Sequence, residues 1–189
     1  MALAMPPVRQ SPILLADYDP RWPQMFEEER QRLQQAIGRW TAAIEHVGST
    51  AIPGIAAKPV IDIGVALNDL HDALWCITPL VEIGYECLGE YGIPGRIYFR
   101  RRTDTPLPGQ SPDPGIGRTH QVHMYERTHH QFAWHITFRD YLRANPDAAR
   151  EYEALKRRLD IEHDDVEAYA DAKSDFVQEI LRRANEGAG

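Results

Sequence analysis

Cysteine is scarce in this chain. Cys76 and Cys87 are the only two among 189 residues. They form no metal-ligand spacing and both sit in apolar surroundings. A cysteine zinc site and a disulfide scaffold are therefore excluded, and buried free thiols of a reducing compartment are expected. Long apolar runs are missing too. No stretch reaches the roughly 18 residues that a membrane-crossing helix needs. The opening MALAMPP has neither the basic start nor the apolar core of a secretory signal. These absences predict a cytoplasmic protein with no membrane partner. Positive charge is also in deficit: 21 Lys and Arg stand against 28 Asp and Glu, for a net charge of −7. Bulk nucleic-acid binding driven by overall charge is thereby excluded. No internal repeat is visible.

What is present suits one soluble core. Hydrophobic residues make up 43% of the chain and charged residues 26%, which needs no staple to fold. Residues 1–12 are expected to be a flexible N-terminus, 13–126 an α/β core, and 127–185 a helical subdomain packed on it. ILLADYD (13–19) is expected to be a short strand. The following DPRWPQMFEEERQRLQQAIG predicts a helix, with Asp19 at its cap, Pro20 in its first turn and Gly38 at its end. Trp22, Met25, Phe26, Leu33, Ala36 and Ile37 form its apolar stripe, and Glu29 falls near the middle. TAAIEHV and KPVIDIGVAL read as strands, the second apolar enough to be central. DLHDALWCITPLVEIG reads as a helix broken or kinked at Pro79. YECLG, RIYFRRR and THQVHMYE read as further strands. The Pro- and Gly-rich 103–118 reads as an exposed loop. Three helices close the chain, beginning at HHQFAW, PDAARE and VEAYAD. The predicted class is α+β: a mixed sheet of about five strands with helices packed on it.

The chemistry concentrates in EHVGSTAIPGIAAKPVIDIGVAL (45–67). Gly48 and Ser49 follow a strand directly. Glycine allows close backbone approach, and the backbone N–H groups with the serine hydroxyl can cradle a phosphate. Asp62 interrupts an apolar run, and a carboxylate so placed needs a partner. A divalent cation bridging Asp62 to phosphates on the turn is one such partner. The plain alternative is a common turn beside an unrelated acid. Lys58 precedes the strand and could add charge to a phosphate.

Histidines and cations complete the candidate set. His46 adjoins the turn. His120 and His123 lie three apart on one strand, so they point to opposite faces, and His123 is preferred for the cleft. It could be a metal ligand or a general base. Arg96 shares a face with Tyr98 and could grip a phosphate or a base. Lys173 falls within the stripe of Tyr169, Phe176, Val177 and Ile180, where an amine must snorkel or meet an anion. That anion is either Glu29 or a ligand phosphate. Arg139 is open to the same two readings.

The segments EHVGSTAIPGIAAKPVIDI, YGIPGRIYF, THQVHMYE, FRDYLRANPDAAREYEALKR and AYADAKSDFVQEIL, in that order, resemble the GrpB family, which is grouped with the nucleotidyltransferase superfamily. The resemblance implies a nucleotidyltransferase-like fold. The superfamily pattern has a Gly-Ser turn, then two acids one residue apart on a strand, then a third acid on a later strand. Gly48, Ser49 and Asp62 match it. Gly64 stands where the second acid belongs, and His120 and His123 stand on the strand of the third.

The reading is a nucleotidyltransferase that binds a nucleoside triphosphate and a divalent metal and transfers a nucleotidyl group to an unidentified acceptor; its partner is a small-molecule or nucleotide substrate. Asp62 and His123 are the catalytic candidates. Gly48, Ser49, Lys58, Arg96 and Lys173 are the phosphate-binding ones, and Asp62, His123 and His46 the metal ligands. Mg or Mn is expected; imidazole ligation would favour Zn, Ni or Fe. Two alternatives stand beside it. One is a non-catalytic nucleotide- or phosphometabolite-binding module. The other is an Asp/His metal-dependent hydrolase.

Overall fold

In the computed structural model, residues 15–102, 117–162 and 172–186 are described. The termini, most of the Pro/Gly-rich loop, and Val166 and Tyr169 of the last expected stripe lie outside them.

Five strands form one mixed sheet. They are β1 (Thr41–Val47), β2 (Ile61–Leu67), β3 (Tyr85–Cys87), β4 (Arg96–Arg102) and β5 (Arg118–Glu126), in the spatial order β1-β2-β5-β4-β3. Only β2 and β5 run parallel; the other neighbours are antiparallel. β2 and β5 are thus central, as the near-continuous apolar run of β2 requires.

Alternation divides the side chains between two faces. Ile61, Ile63, Val65, Phe99, Val122 and Met124 point to the face covered by α1 (Trp22–Ile37) and α2 (Ala73–Glu82), where they join Trp22, Leu33, Ile37 and Leu80 in the main core. The other face carries Asp62, Gly64, Tyr98 and His123. Over β1, β2 and β5 on that side lies α3 (His130–Ala144), followed by α4 (Pro146–Glu162) and α5 (Ser174–Glu186). Ile52 and Ile55, from the β1–β2 connection, join Leu142, Tyr152 and Ile180 in a second apolar cluster. The connection after the Gly-Ser turn is therefore packed against the C-terminal helices, which fixes where that turn points.

Three expectations are corrected. Pro79 does not break helix α2, which is continuous from Ala73 to Glu82. The carbonyl four residues earlier belongs to Trp75, which is 65% exposed, so water can replace the missing bond. The segment expected to form the first strand contributes, among its described residues, an isolated bridge from Ala16 to Ala57. Lys173 is not on the stripe of α5: it immediately precedes that helix, and its carbonyl accepts from Val177 N at 3.0 Å. Nor is Glu29 its partner. Glu29 is 3% exposed on the α1 face. There it accepts from Arg32 at 2.8 Å, from the Tyr85 hydroxyl at 3.0 Å and from Arg101. The sheet separates that cluster from Lys173.

Candidate functional site

Antiparallel pairing sets Val47 opposite Asp62, so the chain leaving β1 turns directly over the carboxylate. Gly48 makes that turn at φ +70° and ψ −171°, a conformation open essentially to glycine alone. Space imposes the same choice. A Cβ at Gly48 would lie 2.5 Å from Asp62 Oδ2. Backbone and carboxylate are therefore in contact, and Ser49 opens a single 3-10 turn just beyond.

The parallel register of β2 and β5 places His123 beside Gly64, on the same face as Asp62. His123 Nε2 is 3.3 Å from Asp62 Oδ1, and its Nδ1 is 3.5 Å from an Arg96 amino group. Arg96 can only donate, so the proton of a neutral His123 belongs on Nε2, facing the carboxylate. Both side chains remain partly open, at 27% for Asp62 and 13% for His123. His135 on α3 stands behind, its ring centre 5.4 Å from that of His123. Burial, with His123 beside it, drives its pKa down to about 4, so its ring is neutral at pH 7.

Three lysines surround the carboxylate and its turn. Lys173 sits in the field of Asp62 and Lys58; burial pulls its pKa down to about 8 against the attraction of Asp62. Lys58 is lowered by burial and by Arg118, again opposed by Asp62. Lys156 on α4 is fully buried: its amine donates to the Ala56 carbonyl and lies 4.6 Å from the centre of the Tyr152 ring. Burial first, then Lys173, brings its pKa to about 7. Tyr152 is hydrogen-bonded through its side chain to Ser49. The helical group thus reaches the turn through Tyr152, the following loop through Lys156, and the surroundings of Asp62 through Lys173.

The structure brings Asp62, His123, Gly48 and Ser49 together, with Lys58 and Lys173 in the electrostatic field of Asp62. His46 is not with them. It faces the α1 side, stacked on Phe26 with ring centres 4.7 Å apart and 3.0 Å from the Thr50 hydroxyl. The expected set of Asp62, His123 and His46 is therefore not assembled, because strand alternation turns His46 away. Among the described residues, no three His, Cys, Asp or Glu side chains are placed to hold an ion together. Arg96 adjoins them through His123; it also bonds the Glu90 and Tyr91 carbonyls at 3.2 and 2.5 Å and lies over Tyr98. Arg139 resolves to its structural role, bonding Glu45 at 2.7 Å and the His46 carbonyl at 2.9 Å.

The glycine at the second acid position has a cause. A Cβ on Gly64 would meet Phe132 of α3 and Val47, both at 3.3 Å. Helix α3 fills the space where a second carboxylate would stand. Sequence reasoning missed His135 and Lys156. The spacing of Lys156 four residues after Tyr152, on the inward face of its helix, was the available signal for the latter.

A Gly-Ser turn closing on a strand carboxylate, on a mixed five-stranded sheet with helices on both faces, defines an α+β protein with a polar cluster on one face of its sheet. The chain belongs to the GrpB family, whose model, described as GrpB protein, matches residues 12–183. The glutamate-rich protein GrpB of Alkalihalophilus pseudofirmus is 36% identical over 176 residues, covering 92% of this chain and 97% of that one. Protein YqkA of Bacillus subtilis is 37% identical over 91% of this chain, which spans 46% of that protein's length. The crystal structure of conserved protein GrpB from Enterococcus faecalis aligns with a TM-score of 0.78 at 35% identity, over 93% of this chain and 99% of that one. No helix among the described residues is long and apolar enough to cross a membrane.

Proposed function

We propose that the site binds a nucleoside triphosphate and transfers its nucleotidyl group to an acceptor hydroxyl. The observation that carries this reading is the convergence on Asp62 of a glycine turn, a histidine and lysine charge. The backbone at Gly48 and Ser49 and the cations Lys58 and Lys173 would hold the β- and γ-phosphates. Lys173 keeps most of its charge at pH 7, because its lowered pKa is still about 8.

His123 is the general base. Asp62 orients its Nε2–H and stabilises the imidazolium that forms. The acceptor hydroxyl displaces the long Arg96 contact and gives its proton to Nδ1 as its oxygen bonds the α-phosphorus. The bond from that phosphorus to the bridging oxygen breaks, and pyrophosphate leaves. Asp62 would hold one divalent ion, which would supply charge neutralisation on the phosphates; Gly64 offers no second carboxylate for a two-ion clamp.

Calorimetric titration with ATP, GTP, CTP and UTP in Mg²⁺ or Mn²⁺ tests the binding. Wild type is expected to bind and Asp62→Ala to lose most of its affinity; equal binding by both would defeat the reading. Phe132 packed over Gly64, the second acid position, favours one other reading, a module that holds the nucleotide without turning it over. Pyrophosphate release across a panel of acceptor hydroxyls, abolished in His123→Ala, would remove that alternative.

A further inference from the structure

The loop from β3 to β4, residues 88–95, is bent through four left-handed positions. Gly89, Gly92 and Gly95 have φ of +63°, +82° and +75°, and Tyr91 has φ +45°. Among the described residues, Tyr91 is the only non-glycine with positive φ. That conformation brings Cβ against the backbone and favours glycine. The chain places glycine at the neighbouring bends, yet keeps an aromatic here.

Its surroundings hold the strained residue in position. Arg96 bonds the carbonyls of Glu90 and Tyr91, the Glu90 carboxylate accepts from Gly95 N at 2.8 Å, and His129 lies 3.2 Å from the Pro94 carbonyl. The Tyr91 ring stacks on Tyr98, with centres 5.1 Å apart and planes 17° from parallel. The residue is nevertheless 60% exposed, so much of the side chain is open to solvent. Tyr98 in turn lies 5.3 Å from His123, and burial together with Asp62 lifts its pKa to about 12. Tyr91, Tyr98 and His123 thus form a row of rings leading from solvent to Asp62.

We propose that Tyr91 is the platform on which the nucleobase of the ligand stacks, a reading that rests on the nucleotide site proposed above. Strain of this kind persists where surrounding structure enforces it, and it concentrates at ligand contacts. An exposed ring locked in one orientation presents a flat apolar surface at little entropic cost. Every base has a π-face, so stacking alone accepts all four bases. The site is thereby assigned broad base tolerance, with purines held more tightly through their larger overlap.

The test compares ATP with inorganic tripolyphosphate, which carries the phosphates and lacks the base. Both are titrated with Mg²⁺ into the full chain as wild type, Tyr91→Phe and Tyr91→Gly. Glycine relieves the positive φ, so Tyr91→Gly should melt no lower than wild type. It should bind ATP roughly 5- to 150-fold more weakly, with tripolyphosphate affinity unchanged, while Tyr91→Phe keeps both. If Tyr91→Gly binds ATP as wild type does, the platform is overturned and the phosphate site stands. Equal losses for both ligands would also overturn it, by showing that the loop serves the phosphates. If wild type binds neither ligand, both readings fall.

Discussion

Placing a carboxylate at Gly64 would test why the second acid position is vacant. In Gly64→Asp, the new Cβ would lie 3.3 Å from both Phe132 and Val47. Overpacking of that kind costs about 1–3 kcal/mol. The charge adds to it. Asp62 is two residues along the same strand face, and Glu45 is the cross-strand neighbour of Gly64. Like charges about 6 Å apart at an effective dielectric near 20 repel by roughly 2–3 kcal/mol. Attraction to His123 offsets part of this only where the ring is protonated. The total is about 3–6 kcal/mol, a large share of the roughly 5–15 kcal/mol that holds a domain folded. Phe132→Ala removes one of the two clashing groups, so the same substitution in that background should cost about 3–4 kcal/mol. Urea denaturation of the four proteins at pH 7 gives both costs from the midpoints. In the double variant, Mn²⁺ should then raise the midpoint, since it binds paired carboxylates only in the folded state. A cost below about 1 kcal/mol for Gly64→Asp, or equal costs in the two backgrounds, would refute the steric explanation.

Other consequences concern the buried ionisable groups. Lys156 has a folded pKa of about 7, below its ordinary 10.5. The unfolded chain therefore binds more protons between those values, and wild-type stability should rise with pH by up to about 1.4 kcal/mol per unit through that window. Lys156→Met should lose that rise and be at least as stable at pH 7; a parallel pH profile in calorimetric melting would contradict it. His135 has its folded pKa lowered from 6.5 to about 4. Its contribution is present above pH 6.5 and lost as pH falls towards 4, so His135→Phe should flatten the acid limb of the stability profile. An unchanged limb, measured by urea midpoints between pH 7 and 4, would remove His135 from the account. Glu29→Gln should cost about 3–5 kcal/mol, because it leaves Arg101 and Arg32 facing a neutral group; a loss under about 1 kcal/mol in urea would show those cations finding other partners.

The strands were legible because their chemistry is local. The run VIDIGVAL fixes β2 as central, and the spacing of His120 and His123 fixes which of them can face Asp62. The glycine turn was legible for the same reason, since Gly48 and Asp62 meet through simple antiparallel pairing. What could not be read depends on contacts between distant segments. His46 and Asp62 are near in sequence, and only the alternation of β1 against its partner shows that the imidazole faces the wrong helix. Lys173 and Glu29 each looked like a misplaced charge on an apolar stripe, and opposite charges suggested a pair. The sheet lies between them: Glu29 finds Arg101 from β4, and Lys173 joins the charges around Asp62. Phe132 explains the same limit at Gly64. Nothing within β2 says why the second acid is missing, because the cause is a phenylalanine about seventy residues later on a helix that packs across the strand. A helix lying there excludes the second carboxylate by volume, and it also brings His135 behind His123. The element that excludes a second carboxylate therefore also supplies the wall behind His123, so this face of the sheet carries a carboxylate and histidine pair rather than a triad of acids.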